Sequence, residues 1–539
     1  MKTSRGYLPK DEIYPLNGLN TLDPSPQADP RSSPNCENVL FHKGVVQKRN
    51  GYLYLGDAID GVVIGIVEYE SLSGTKTLLA FTTTKQYKWS GSAWTNITYQ
   101  SASVDVDWTG GETDEFDYTI VTGFVSGTLK KYILITNGKD PPRFWDGAAS
   151  KFAIYQVTGI SGVASNSTSW AVKSFVGFYD HVILANIKTD AGVWNGGLLA
   201  WSQYQDLVTF TTGASYDSGT AILTDLDGEI VKLERLADRC YVYGLNTIHS
   251  IGYVGGTLTY TFDKVVDGIR LVSKRSIANI GGFHMFLSQE NVTFFDGTRL
   301  TRPIGDKISK SLRDELYASK RHFAFAFHDA ARRQVYFSYP TAVSAAKHYH
   351  VEYDTGDLAG SKWTKFSYAD RVTSMGFYSR NVDLAYDSSQ FTGLNYYASS
   401  LRYAQGSIKG GFPIRVLGTA NGRVAIFDDT VQNDGIETID SHWDTIDFTV
   451  PVAYQSELGR WIELELELRG YEADIYYSLD KGETYKFVEK LTLDSTWNKY
   501  KVFFDLMSKT IRIRVANACP SSTFQLRWIR VWVQPGGPA

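Results

Sequence analysis

The stretch that decides the fold is Phe286-Leu-Ser-Gln-Glu-Asn-Val-Thr-Phe-Phe-Asp-Gly297. A short apolar strand turns into a second strand that ends on an aromatic pair and an Asp-Gly turn, so the segment predicts a β-hairpin. Repetition of this β unit indicates a repeat architecture. The pattern recurs clearly at 78–91 and 133–147, and more loosely at 182–201, 240–253, 335–356 and 414–429.

Each copy closes on an aromatic residue, and these residues set the period of the repeat. They are Trp89, Trp145, Trp201, Tyr253, Phe295, Tyr353 and Phe427. A period of roughly 40 to 60 residues with several strands per unit is typical of β-propeller blades. We expect the closing aromatics to pack between stacked blades. The sequence therefore predicts an all-β chain with a propeller of about seven blades, six to eight being compatible with the irregular fourth and last copies.

The chain divides into three predicted parts. Residues 1–38 are rich in proline, which disfavours helices and central strands, so we expect an extended arm docked on a surface; a disordered tail is the alternative. Residues 39–436 form the propeller, with a rim insertion near 369–412. Residues 437–539 contain strictly alternating strands such as Trp461-Ile-Glu-Leu-Glu-Leu-Glu-Leu468, which predicts a β-sandwich.

The hairpin at 38–52 is a candidate for closing the propeller. Its Gly44 and Asn50-Gly51 turns fit two short strands, and pairing an N-terminal strand with the last blade removes an exposed sheet edge. Its cations Lys43, Lys48 and Arg49 are candidates for contacts with phosphate or an acidic partner, but a solvated strand face is the preferred explanation.

Composition excludes several classes of protein. The 539 residues carry a net charge of −4 with interspersed signs, which argues against a general nucleic-acid-binding surface. Cys36, Cys240 and Cys519 are far apart and odd in number, so reduced structural thiols are expected and no disulfide framework. The N-terminus has no apolar signal segment and no run reaches 18 apolar residues, so neither Sec export nor a membrane span is expected.

No motif predicts an active site. Ser478-Leu-Asp-Lys-Gly-Glu-Thr-Tyr485 resembles the Asp-box of sialidases, which is a structural turn. His348 and His350 share one face of a strand, but no third ligand accompanies them. We find no Gly-x-Ser-x-Gly, Walker or His-Glu-x-x-His pattern. We therefore expect no enzyme, no catalytic residues, no cofactor and no metal.

The order of features resembles a family of virion proteins from tailed phages. The resemblance is carried by the Pro-rich start, by Pro34-Asn-Cys-Glu-Asn-Val-Leu-Phe-His-Lys-Gly-Val-Val-Gln-Lys-Arg-Asn-Gly-Tyr52, by Phe294-Phe-Asp-Gly297 with Ile304-Gly-Asp-Lys-Ile308, and by Leu526-Arg-Trp-Ile-Arg530. It is similar to the tail nozzle, or tail tubular protein B, of short-tailed phages. That resemblance implies a structural virion protein, made in the host cytoplasm, that forms the distal conduit for genome ejection.

The same resemblance implies partners. They are a homo-oligomeric ring, usually a hexamer, a head-to-tail adaptor, tail fibres in some members, and DNA that passes through without sequence-specific binding. Candidate assembly contacts are Tyr7, Tyr14, Lys43, Lys48, Arg49, Glu463, Glu465 and Glu467. For the three glutamates, cross-strand pairing with Arg512, Arg514, Arg527 or Arg530 is the preferred explanation.

Two other functions stay open at this point. One is a carbohydrate-binding or carbohydrate-active propeller of the sialidase-like type, which would need two carboxylates at a defined separation. The other is a propeller that mediates protein interactions.

Overall fold

The computed structural model describes the chain apart from residues 1–7, 10, 26, 43, 257, 299, 344–346, 354–356, 380–412, 451–456 and 539. The described residues are mostly strands and turns, and they confirm the predicted fold. It is an all-β chain with a seven-bladed propeller, an extended N-terminal arm and a C-terminal β-sandwich.

Seven four-stranded antiparallel units form the blades. Those of blades 1 to 5 are separate sheets, and those of blades 6 and 7 belong to larger sheets. Blade 1 contains Val63–Glu70, Lys76–Thr82, Gln86–Trp89 and Trp94–Asn96. Blade 2 contains Asp117–Val125, Thr128–Thr136, Arg143–Trp145 and Ala153–Ile154. Blade 3 contains Ala171–Phe178, His181–Lys188, Trp194–Trp201 and Gly219–Ile222. Blade 4 contains Lys232–Leu236, Arg239–Tyr243, Thr247–Tyr253 and Tyr260–Asp267. Blade 5 contains Ile277–Asn279, His284–Leu287, Val292–Phe295 and Leu300–Pro303. Blade 6 contains Phe325–Asp329, Gln334–Tyr339, Lys347–Glu352 and Lys362–Phe366. Blade 7 contains Val372–Tyr378, Ile414–Thr419, Val424–Phe427 and Tyr52–Tyr54.

The closing aromatics of the repeat occupy equivalent places. Each lies at the end of the third strand of its blade, or directly after it. Hydrophobic clusters fill the spaces between neighbouring blades, as expected for sheets that cannot bury both faces alone. Trp145 and Phe295, for example, are fully buried in these clusters. Tyr253 is the exception among the seven, since its side chain is 41% exposed.

The strand that closes the ring is shorter than the hairpin predicted for that role. Tyr52–Tyr54 pairs antiparallel with Val424–Phe427 of blade 7. The two strands of the hairpin, Val39–His42 and Val45–Lys48, instead extend a sheet of the C-terminal sandwich through Phe524–Pro538. The prediction of closure by the hairpin itself is therefore wrong, although closure by an adjoining N-terminal strand is confirmed.

The sandwich consists of two sheets around a shared apolar core. In the first, the order is Asn498–Ser508, Glu457–Gly470, Phe524–Pro538, Val45–Lys48 and Val39–His42, with Leu8–Pro9 also on Phe524–Pro538. The second sheet continues from the fourth strand of blade 6. Its further strands are, in order, Cys36–Glu37, Ser441–Asp444, Thr510–Asn517, Glu472–Ser478 and Lys486–Thr492. Phe448–Thr449 also pairs with Thr510–Asn517. Propeller and sandwich thus share one sheet.

The remaining elements are short. Strand pairs form between Gly18–Leu19 and Ser32–Ser33, Gln100–Ser101 and Val104–Asp105, and Asn433–Asp434 and Glu437–Thr438. Helical segments are the α-helix Asp306–Glu315 and the 3-10 helices Ala318–Phe323 and Leu358–Gly360. None of the helices in the described part of the chain combines the length and the apolar character that crossing a bilayer requires.

The domain boundaries at residues 38 and 436 stay predictions, because strands on both sides of them share sheets. Most of the predicted rim insertion, 380–412, lies outside the described residues. Its described beginning contains Val372–Tyr378, the first strand of blade 7.

Candidate functional site

One face of the propeller carries both the turns after first strands and the segments after third strands, because the strands of a blade run antiparallel. On this face a cavity of about 710 Å³ lies where blades 6 and 7 meet the N-terminal hairpin. Its walls combine polar and charged side chains from several elements. They include Gln47, Asn50, Arg332, Arg333, Gln334, Glu352, Tyr353, Asp357, Lys362, Arg415 and Asp429.

Glu352 is the most unusual of these side chains. It ends the strand Lys347–Glu352, and the register places it opposite Lys362, whose Nζ lies 4.0 Å from Glu352 Oε1. Its Oε2 is buried and accepts no hydrogen bond from the part of the chain that the structure describes. Burial raises the pKa of Glu352, and the Lys362 ammonium partly offsets this. Because the side chain is still 24% exposed, a carboxyl whose protonated form is favoured by burial borders the cavity.

Asp429 is a second carboxylate at the cavity, and it differs from Glu352 in its surroundings. Its side chain is 66% exposed. One oxygen accepts a hydrogen bond from Asn50 Nδ2 at 3.0 Å, and the other lies 3.4 Å from an Arg332 nitrogen. Asp357, the third acid of the wall, accepts from the Gly360 amide at 3.0 Å and so caps a 3-10 turn.

Buried ion pairs hold the cavity wall in place. Asp329 is fully buried and lies 3.3 Å from Arg332 and 3.5 Å from Arg415. The Arg415 guanidinium also lies over the Phe427 ring at 4.5 Å. These contacts join the first turn of blade 6 to blade 7 and fix that turn at the cavity wall.

The arrangement provides the parts of general acid–base chemistry. A carboxyl group whose pKa is raised by burial is a candidate proton donor, and a solvated carboxylate can accept a proton or act as a nucleophile. A pair of carboxyl groups that divide these two roles is what glycosidic bond cleavage requires. The cavity volume is also within the range of roughly 300–1,000 Å³ that is usual for ligand sites.

A second cavity, of about 350 Å³, lies on the opposite face at the mouth of the propeller axis. Its charges are largely paired within the protein. Glu229 accepts from Lys173 at 2.7 Å and from Asn186 at 2.9 Å. Lys274 contacts the buried Asp117 at 3.6 Å, and burial lowers the pKa of Lys274 to about 8. This network is better explained as the polar centre of the propeller than as a reactive site.

Lys48 and Arg49, predicted as contact residues, are almost fully buried. Lys48 donates to Asn517 Oδ1 at 2.8 Å and to the Cys519 carbonyl at 2.7 Å, and burial lowers the pKa of Lys48 to about 8. Arg49 forms an ion pair with Asp434 at 2.6 Å. The solvated strand face is therefore wrong for both cations, which join the hairpin to the sandwich and blade 7. A role in assembly stays a prediction.

The acidic strand of the sandwich pairs with its neighbours, as preferred from the sequence. Arg512 and Arg514 do not take part, because they bind Asp447 and Asp444. Whether this face also meets a partner stays a prediction. The pairs are Glu463 with Lys501 at 2.6 Å, Glu465 with Arg530 at 3.5 Å, and Glu467 with Arg527 at 2.9 Å.

The N-terminal arm is docked on the sandwich. Tyr7 and Lys43 lie outside the described residues. Tyr14 is exposed and donates to Glu12 Oε2 at 3.0 Å, while Ile13 next to it bridges to Ile529. The contact role proposed for Tyr14 stays a prediction.

The two motifs considered for chemistry are structural. Asp480 accepts hydrogen bonds from Ser478 Oγ at 2.6 Å and from the Thr484 amide at 2.9 Å, as in a tight turn. His348 and His350 are buried against aromatic rings, and burial lowers the pKa of each to about 3, so both are neutral. Among the described residues no group of three or more His, Cys, Asp or Glu side chains is placed to hold a metal ion.

Sequence reasoning did not find this cavity. None of the described residues predicted as contacts lines it. Its only visible signal is a glutamate that directly follows the buried run His348-Tyr-His-Val351, and a single acid at a strand end is too common to single out.

No protein-family model and no curated protein matches the chain. Among solved structures, an exo-β-1,3-galactanase from Phanerochaete chrysosporium with galactose is 10% identical, covering 89% of this chain and 100% of that chain at a TM-score of 0.25. A glycoside hydrolase family 43 arabinoxylan arabinofuranohydrolase from Bacillus subtilis is 10% identical, covering 95% and 98% at 0.24. A family 29 carbohydrate-binding module is 13% identical, covering 23% and 73% at 0.14. Likenesses this distant assign no activity or substrate to the chain.

These findings correct the expectation of a phage tail nozzle. The three similar structures are two glycoside hydrolases and a carbohydrate-binding module, and none of the three is a tail protein. The expectation of no enzyme, the tail and virion descriptors and the placement in the virion are corrected with it. The expected ring, adaptor, fibre and DNA partners stay untested predictions.

Proposed function

We propose that this chain is a carbohydrate-active β-propeller protein that binds a saccharide in the cavity beside blades 6 and 7. The observation that carries the proposal is the Glu352 carboxyl group. It borders the cavity, and its buried Oε2 has no hydrogen-bond partner among the described residues. The proposal rests on this geometry and not on the distant solved structures.

Glu352 serves as the proton donor. A glycosidic oxygen is a poor leaving group, so its departure needs a carboxyl that is still protonated near neutral pH. Burial raises the pKa of Glu352 in that direction. The Lys362 ammonium at 4.0 Å limits the rise and stabilises the carboxylate after the proton has left.

Asp429 serves as the second carboxylate. Its exposure leaves it accessible, and its hydrogen bond from Asn50 holds it in place. It acts either on a water molecule or on the anomeric carbon itself, and the configuration of the product distinguishes these two routes. Arg332 and Gln334 also line the cavity and supply donors for the sugar hydroxyls.

A hydrolysis screen tests the proposal. The full chain is incubated with oligosaccharides of galactose, arabinose, xylose and glucose in each common linkage, and released reducing ends are measured. We expect turnover of at least one linkage class, and a loss of about a hundredfold or more for Glu352→Gln and for Asp429→Asn.

The matched control is Glu489→Gln, which changes an exposed glutamate on a strand of the sandwich. It should keep the wild-type rate. The proposal fails if no saccharide is cleaved or bound by the wild-type chain, or if all three variants lose activity equally.

A further inference from the structure

Three exposed tyrosines form a cluster on the propeller, separate from the cavity. Tyr179 lies in the turn between the first two strands of blade 3, Tyr204 follows the third strand of that blade, and Tyr253 ends the third strand of blade 4. Their side chains are 46%, 49% and 41% exposed. We call these three residues the tyrosine platform.

Tyr253 is out of place as a packing residue. It is the closing aromatic of the fourth repeat, and its six counterparts are buried or half-buried. Its ring instead stacks on that of Tyr179, with centroids 4.6 Å apart and planes 19° apart. The two rings thus stack face to face across the boundary between blades 3 and 4, and both remain partly exposed.

The turn that carries Tyr179 is strained. Tyr179 and Asp180 have φ values of 47° and 59°, in the left-handed region that bulky residues rarely adopt. Buried contacts hold this turn, since Tyr260 beneath it donates to the Phe178 carbonyl at 3.0 Å. Two successive positive φ values are what a two-residue hairpin turn of type I′ requires, and a tyrosine is an unusual residue to hold that conformation.

A buried imidazole lies under the platform. His181 is 1% exposed, and its ring contacts the rings of Tyr204 and Tyr253 at 5.9 and 6.3 Å. Nδ1 hydrogen-bonds to the Ser202 carbonyl at 2.6 Å, but Nε2 has no partner among the described residues. This nitrogen is a polar group directly beneath the exposed rings whose hydrogen bonding the described residues leave incomplete.

We propose that the tyrosine platform is a saccharide-binding site. A pyranose has a flat face of C–H groups that stacks on an aromatic ring, and a rim of hydroxyls that needs hydrogen-bond partners. Tyrosine rings supply the stacking surface. Asp180, which is exposed, supplies an acceptor for those hydroxyls, and its carboxylate raises the pKa of the neighbouring Tyr204.

The acidic side chain beside the tyrosine platform, Asp180, favours a sugar over a proline-rich peptide, which is the other common ligand of exposed aromatic residues. A carboxylate only accepts hydrogen bonds, and sugar hydroxyls donate them. Proline has no N–H, so a proline-rich strand offers mainly carbonyl acceptors, which Asp180 cannot satisfy.

The platform and the cavity share one face of the propeller, because both follow first-strand turns and third-strand ends. Binding at the platform itself does not require hydrolysis, so the two proposals fail separately.

Calorimetric titration tests this site. Cellohexaose, xylohexaose and mannohexaose are titrated into the full chain carrying Glu352→Gln, so that the sugar is not consumed. We expect binding of at least one of them. Adding Tyr253→Ala should weaken it about tenfold, and Tyr253→Phe should preserve it because the ring remains.

The control is Tyr471→Ala, which removes an exposed tyrosine of the sandwich and should leave the affinity unchanged. Circular dichroism checks that each variant is folded. The proposal is overturned if none of the three sugars binds at about 10 mM, roughly tenfold above a dissociation constant of about 1 mM. It is also overturned if Tyr253→Ala binds as tightly as its parent, or if a proline decapeptide binds the platform in place of the sugars.

Discussion

Arg49 and Asp434 form a bidentate ion pair between positions far apart in the chain, with N–O distances of 2.6 and 2.8 Å. Both side chains are only 3% exposed. Arg49 also donates to Asn38 Oδ1 and to the Ser367 carbonyl, and it lies 4.5 Å from the Tyr368 ring centre. One buried cation thus joins the arm, the outer edge of blade 6 and the segment beyond blade 7.

We predict that Asp434→Asn destabilises the protein by about 3–5 kcal/mol, because it leaves a buried guanidinium without its counter-ion. Denaturant unfolding monitored by tryptophan fluorescence measures this. The control is Asp505→Asn, which breaks an exposed pair with Arg460 and should leave the unfolding free energy unchanged. Equal effects of the two changes would contradict the account.

Stability should depend on pH through His350. Burial, with a smaller effect of the Arg415 cation, lowers the pKa of His350 to about 3. An unfolded histidine titrates near about 6.5. Between these values the unfolded chain binds more protons, so the unfolding free energy falls as the pH drops, by at most about 1.4 kcal/mol per pH unit for this group.

His350→Gln should make that fall shallower between pH 6.5 and 4 than in the wild type. The measurement is the unfolding free energy of both proteins at half-unit steps of pH. Identical slopes would show that His350 does not resist protonation in the folded state.

Two glycines with positive φ allow the cost of backbone strain to be distinguished from the cost of a steric clash. Gly422 has φ +71°, and a Cβ there would lie 2.0 Å from the Ile59 carbonyl oxygen. Gly74 has φ +83° and nothing within 4 Å of the same position. We expect Gly74→Ala to cost about 1–2 kcal/mol for the backbone alone, and Gly422→Ala to cost about 1–3 kcal/mol more because blade 7 must move.

Thermal and denaturant unfolding of both variants measure the difference. If Gly422→Ala proves no worse than Gly74→Ala, the close approach between Ile59 and blade 7 is not a tight contact in solution.

The fold could be predicted from the sequence because the same strand–turn–strand unit recurs in each blade. Trp145, Trp201 and Phe295 recur at the same point of each blade, and that spacing depends only on local strand and turn lengths. Closure of the ring by an N-terminal strand was predicted, but the sequence did not show which strand closes it. That choice depends on tertiary pairing, since Tyr52–Tyr54 meets the edge of blade 7 and the hairpin meets the edge of the sandwich.

The candidate sites could not be predicted in the same way. Glu352 becomes distinctive only through its burial and its unpartnered Oε2, which depend on the packing of blade 6 against elements remote in sequence such as the N-terminal hairpin. Tyr253 was predicted to pack between blades like its counterparts. It does not, because Tyr260 already fills the interior beneath it.

The most direct test of Glu352 as proton donor compares substrates whose leaving groups differ in basicity. Once the screen has identified a glycone, kcat/KM is measured for its dinitrophenyl glycoside and for its natural oligosaccharide, with wild-type protein and Glu352→Gln. A dinitrophenolate departs without protonation, whereas a sugar alkoxide does not. The account predicts a loss of less than about tenfold on the aryl glycoside and of more than about a hundredfold on the oligosaccharide. Equal losses on both substrates, or no loss on either, would contradict it.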